Sequence, residues 1–149
     1  MTAHLGLRPH KVVREDRADG TIVLRSGYEM SAVDRSTGVW LTRWAAAAPE
    51  RVFLAERSGE GWHTVSYAEA LERVRALSAA LLARGVDGPI LILSGNSVDH
   101  ALLALAAQYV GLVTVPVAEQ YSLIPAAHGR LQYVVDLVKP ALVYAADEA

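Results

Sequence analysis

Cysteine is absent from the 149 residues, which excludes disulfides, thiolate nucleophiles and thiolate metal ligands. Lysine is nearly absent too. Lys11 and Lys139 are the only two, and arginine carries the rest of the positive charge. Phosphate loops and Schiff-base chemistry both draw on lysine, so either has few candidates here. Neither G-x-x-x-x-G-K nor G-x-G-x-x-G occurs, so the phosphate-loop and dinucleotide fingerprints are missing. A strong charge of one sign is missing as well. The net charge of −2 gives no electrostatic footprint for a nucleic-acid backbone or an anionic membrane, and neither is expected as a partner.

Residues 1–11 contain no apolar core of the length a secretory signal needs. The run from 98 to 118 is about as long as a bilayer span. It is interrupted by Asp99, His100 and Gln108, then punctuated by Gly111 and Pro116. A helix, a glycine and a buried strand account for it better, and a cytoplasmic location is expected. What is present is a chain with 52% hydrophobic and 20% charged residues, enough to build one real core.

Two alternating apolar runs flank Asp19-Gly20, a hairpin signal because glycine takes the positive φ of the turn. A polar connection over residues 28–36 leads to a helix over 39–48. There Trp40, Leu41, Trp44, Ala45 and Ala48 share a face, and Pro49 stops the helix. RVFLAER and WHTVS then read as a second hairpin around residues 58–61. Ser66 and Glu69 form a capping box. It opens a helix in which Ala70, Leu71, Val74, Leu77, Leu81 and Leu82 keep helical spacing, Glu69 pairs with Arg73, and Gly85 supplies a left-handed cap.

From residue 89 the pattern alternates: PILILSG as a buried strand, a helix capped by Asn96 or Ser97 and closed by Gly111, LVTVPV as a strand, the loop AEQYSLIP, a helix over 126–138 ended by Pro140, and ALVYA as a strand. This is the signature of a parallel, doubly wound βαβαβ sheet with right-handed crossovers. The expected fold is therefore α/β, with N-terminal β-hairpins and a short helix ahead of the sheet. Residues 1–36 form a hairpin and connection, and 37–149 the α/β part. The sequence stops a few residues past the last strand with no helix to cover it, so continuation in a longer polypeptide is expected.

Two loops follow carboxyl ends of strands, where open α/β sheets bind ligands. The first, Ser94-Gly95-Asn96-Ser97, opens a helix whose N-terminal N–H groups suit an anion. A tight turn with an N-cap is the plainer reading. The second, Glu119-Gln120-Tyr121-Ser122, brings together a carboxylate, an amide and an aromatic hydroxyl, with a solvated loop as the plainer account. The candidate ligand-facing residues are Ser94, Gly95, Asn96, Tyr121 and Ser122.

Other features point less far. Gly95-Asn96-Ser97-Val98-Asp99 faintly resembles the hydrolase elbow G-x-S-x-G, but Asp99 replaces the last glycine and no triad order fits His100 or His128. The histidines His4, His10, His63, His100 and His128 have no metal-binding spacing and read as surface or satisfied groups. Trp40 and Trp44 read as anchors of their helix to the sheet, and core packing is favoured over a ligand cage for these two and Trp62.

TVSYAEALERVRALSAALLARGV resembles the start of the large N-terminal domain of adenylate-forming enzymes, with its "T-Y-x-E-L" helix start and "A-R-G-V". The match continues collinearly through ILILSGNSVDHALLALAAQYVGLVTVPVAEQYSL and LQYVVDLVKPALVYA, about two-thirds of the chain. LRPHKVVREDRADGTIVLRSGYEM, RWAAAAPERVFLAERSGEGW and ILSGNSVDHALLALAAQYVG look closest to the feruloyl-CoA synthetase branch of acyl-CoA synthetases.

The resemblance implies a partial N-terminal domain and a two-step ligation. A carboxylate attacks the α-phosphorus of MgATP to give an acyl adenylate and pyrophosphate, and the thiol of coenzyme A then displaces AMP. It also implies that the lysine-bearing phosphate loop, the adenine and ribose contacts, the hinge and the catalytic lysine lie beyond Ala149. No catalytic, cofactor-binding or metal-ligating residue is then expected in this chain, and ATP, Mg and CoA belong to the intact enzyme. The expected partners are the rest of the same polypeptide, a small-molecule carboxylate in the intact enzyme, and a second copy through exposed apolar sheet surface. The alternative is a stand-alone, non-catalytic binding or oligomerisation module derived from that domain.

Overall fold

A computed structural model describes residues 9–146. His4, most of the N-terminal stretch tested for a signal and the last three residues lie outside the described residues. The chain divides into two compact units between Val33 and Asp34.

The first unit holds the hairpin β1 (Val12–Asp16) and β2 (Ile22–Ser26), antiparallel with Val12 opposite Ser26. Its turn is closed by Gly20 N–H donating to Arg17 O at 3.0 Å, with Gly20 at φ +84°. The Asp19 carboxylate accepts the Thr21 N–H at 2.9 Å. That bond holds the Asp19 carboxyl below its usual range.

The second unit begins with α1 (Thr37–Ala47), which ends where Pro49 removes a donor. The antiparallel hairpin β3 (Val52–Ser58) and β4 (Gly61–Ser66) follows, with a register irregularity between Val52 and Leu54. Helix α2 (Tyr67–Ala83) starts on the expected capping box. Ser66 Oγ accepts the Glu69 N–H at 3.3 Å, and the Glu69 carboxylate accepts the Ser66 N–H at 2.8 Å. That second bond draws Glu69 back toward the cap, and Arg73 acts on it only as a nearby charge. Gly85 is left-handed at φ +65°, as the chain reversal there requires.

The alternating part runs β5 (Ile90–Leu93), α3 (Val98–Tyr109), β6 (Thr114–Val117), the short helix α4 (Gln120–Leu123), a 3₁₀ turn at Pro125–Ala127, α5 (His128–Val138) and β7 (Leu142–Ala145). The three strands form a parallel sheet in the order β6-β5-β7. The chain moves one way from β5 to β6 and back across β5 to reach β7. With right-handed crossovers, α3 and α5 cover opposite faces.

Ile90 and Ile92 turn to the α2/α3 face and form the core with Val65, Ala70, Val74, Leu81, Val98, Leu102 and Ala106. The α5 face is thinner. No residue of α5 is fully buried, and Leu131, Val134, Val135 and Val138 are half-buried. Among the described residues no helix is long and apolar enough to cross a membrane. The run tested for that role divides into α3 and β6.

Four expectations need correction. Trp40 and Trp44 do not anchor α1 to the sheet. They are 52% and 44% exposed, α1 packs on α2 and α3, and Leu41 is its buried residue. Trp62 is exposed under the Arg57 guanidinium rather than in a core. The stripe of α2 is Ala70, Val74, Ser78 and Leu81, with Leu82 61% exposed because it falls off that face. Finally, α5 ends on Lys139 in a left-handed conformation (φ 46°, ψ 65°), not in the extended one that a following proline favours.

Candidate functional site

Leu93 pairs with both Val117 and Ala145, so the three strands end level and release Ser94, Ala118 and Ala146 side by side. The two loops singled out in the sequence therefore share the carboxyl end of the sheet. They meet at Gly95: a Cβ built there would lie 3.3 Å from Glu119 Oε2. A side chain at position 95 would meet that carboxylate, which would have to shift slightly to make room.

On the first loop, Ser94 is buried and its Oγ lies 2.9 Å from His100 Nδ1. The same nitrogen lies 3.2 Å from the Gly95 carbonyl. The imidazole nitrogen thus sits between the Ser94 hydroxyl and the Gly95 carbonyl, and the Ser94 side chain is engaged within the turn. Ser97, not Asn96, is the N-cap of α3, and its Oγ accepts the His100 N–H at 3.1 Å. The serine of the faint hydrolase elbow is thus spent on a cap. Asn96 is exposed and lines a cleft of about 130 Å³ with Leu54, Ala55, Glu56, Ser97 and Val98.

The first N–H of α3 is not free for a ligand. Val98 N–H donates to Glu56 Oε2 at 2.7 Å, across 42 positions of sequence. Glu56 Oε1 lies 3.1 Å from His63 Nδ1 on the neighbouring strand β4. The Val98 bond and, after it, the His63 bond hold the Glu56 carboxyl below its usual range. Nothing near Glu56 in sequence signals this role, because the contact exists only once the second hairpin is placed beside α3.

The second loop is not irregular as expected. Tyr121 and Ser122 lie in the turn of α4. Ser122 Oγ donates to Glu119 O at 2.8 Å, and His128 Nε2 lies 2.9 Å from Ser122 O. The Arg130 guanidinium lies 5.8 Å from the Tyr121 ring centroid. Gly95 and Glu119 are brought together, while the hydroxyls of Ser94 and Ser122 are engaged internally.

This end of the sheet does not fit a polyphosphate. Glu56 and Ser97 take the Val98 and His100 N–H groups in the first turn of α3, and Glu119 and Asp99 add like charge. Lys139 precedes β7 and so enters the sheet at its opposite end. Among the described residues no cluster of three or more His, Asp or Glu could hold a metal.

A second concavity lies on the helical side. Thr37, Trp40, Leu41, Trp44, Phe53, Tyr67, Leu105 and Gln108 line a cleft of about 370 Å³. Tyr67 stacks on Phe53 at 4.6 Å and on Trp44 at 5.9 Å between ring centroids.

A family model described as AMP-binding enzyme matches residues 41–149. Solved structures share the architecture. The fatty acyl-adenylate ligase from L. pneumophila, solved with acyl adenylate and pyrophosphate, superposes with a TM-score of 0.63 at 22% identity, covering 72% of this chain and 19% of that one. IdnL1 gives 0.64 at 30% identity, covering 79% and 24%. CmiS6 gives 0.66 at 25% identity, covering 83% and 30%. The chain thus spans between about a fifth and a third of the length of these structures. No curated protein sequence matches it at a significant level.

Proposed function

Since the chain belongs to the AMP-binding enzyme family, we propose that it is the opening part of an ATP-dependent acid–thiol ligase, and that by itself it is scaffold rather than catalyst. The observation that carries this reading is the family match over residues 41–149, which falls within the second unit. The resemblance of the N-terminal segments to feruloyl-CoA synthetases supports ferulate or a related hydroxycinnamate as the acid and coenzyme A as the thiol. A cytoplasmic location belongs to the same proposal.

No step of the reaction is assigned to the residues present. Their contribution is positional. The level strand ends and the buried β5 hold two loops at fixed separation, as a rigid element should at the edge of a site. Oxyanion and phosphoryl stabilisation needs donors aimed at developing charge, and this chain has carboxylates there instead.

The test is to read the coding sequence downstream of Ala149 and assay the whole product. Ferulate-dependent exchange of pyrophosphate into ATP, followed by thioester formation with CoA, supports the proposal. Exchange with fatty acids and not hydroxycinnamates would remove the substrate assignment. A stop codon after Ala149 would favour the stand-alone module.

A further inference from the structure

Three of the first four N–H groups of α3 have side-chain or N-cap partners. Ser97 Oγ takes His100, the Ser97 carbonyl takes Ala101 at 3.1 Å, and Glu56 takes Val98. The first two partners are local, as helix caps usually are. Glu56 is the only one from another element. Beside it lies the small cleft between Leu54, Ala55, Asn96 and Ser97, next to the core that Val98 shares with Val65 of β4.

We propose that Glu56 is a positioning residue for the Ser94–Ser97 turn: it fastens the first turn of α3, and the loop before it, to the β3–β4 hairpin. His63 holds the second carboxylate oxygen, so the fastener is itself oriented from β4. A charged acceptor on a helix N-terminal N–H is a strong form of hydrogen bond. Protonating Glu56 weakens it, which makes the order of the turn dependent on pH. His63 on β4, Asp99 and His100 in the first turn of α3, and Glu69 at the start of α2 are the other titratable groups of this neighbourhood. That the turn borders a ligand belongs to the preceding proposal, whereas the fastening stands without it.

The experiment uses the 149-residue chain and records amide chemical shifts against pH together with hydrogen exchange. In the wild type the Val98 amide shift should titrate on the acid side of the ordinary glutamate range. Glu56→Gln, which keeps a neutral acceptor, should abolish that titration and retain most of the protection at neutral pH. Glu56→Ala should speed exchange of the amides at 96–100 by about tenfold or more, leaving β5 and the middle of α2 unchanged. A Val98 shift that does not follow acid pH, or equal acceleration across the chain in Glu56→Ala, would overturn the proposal. Because no nucleotide or acid is added, these outcomes are independent of whether the whole enzyme ligates ferulate.

Discussion

The hydroxyl of Ser78, midway along α2, donates to the carbonyl of Ala106 in α3 at 2.9 Å, and both residues are buried. The small side chains of Ala106 and Ala107 let the helices approach closely enough for this bond. Ser78→Ala should therefore cost about 1 kcal/mol, the net worth of one hydrogen bond. Ser78→Leu should cost more, about 1–3 kcal/mol, by overpacking the crossing. Urea denaturation of the two variants checks the order.

The capping box of α2 makes a pH-dependent contribution. The bond from the Ser66 N–H and, after it, the Ser66 hydroxyl hold the Glu69 carboxyl below its ordinary value of 4.5. A lowered folded value means that the contribution is present above the unfolded value and lost as pH falls through the folded one. Ser66→Ala should cost about 1 kcal/mol at neutral pH. Glu69→Gln should flatten the loss of stability on the acid side, from the ordinary glutamate range downward. Thermal unfolding followed from neutral to acid pH separates the two effects.

Apolar surface on the α5 side should drive association. Tyr133 and Leu137 lie four apart on α5 and are each 67% exposed. Val143 alternates with the inward Leu142 and Tyr144 of β7 and is 51% exposed. Large exposed apolar side chains on these two elements offer surface for association. Sedimentation velocity should show concentration-dependent association, reduced in the double variant Tyr133→Lys, Leu137→Lys. A clean monomer at high concentration would remove the expectation.

Local signals were legible in the sequence wherever the physics is local. Asp19-Gly20 closes a hairpin, Ser66 and Glu69 open a helix, and the apolar run at 90–93 is a strand covered on both faces. Features that depend on which elements meet were not legible. Trp40 and Trp44 share a helical face with Leu41, yet only Leu41 is buried, while Trp44 meets Tyr67 at the start of α2 and stays partly exposed. Ser78 enters the core because Ala106 opposite it is small. Glu56 reaches Val98 only after the second hairpin docks against α3. The two candidate loops follow strand ends, but the occupancy of the α3 N-terminus by an internal carboxylate has no signature in either loop.

The most direct test of the account is ATP–pyrophosphate exchange by the purified 149-residue chain with ferulate and magnesium. The account predicts no exchange above a no-enzyme control, because these residues hold a site edge without the groups that stabilise a reacting phosphorus. Ferulate-dependent turnover by this chain alone would contradict it.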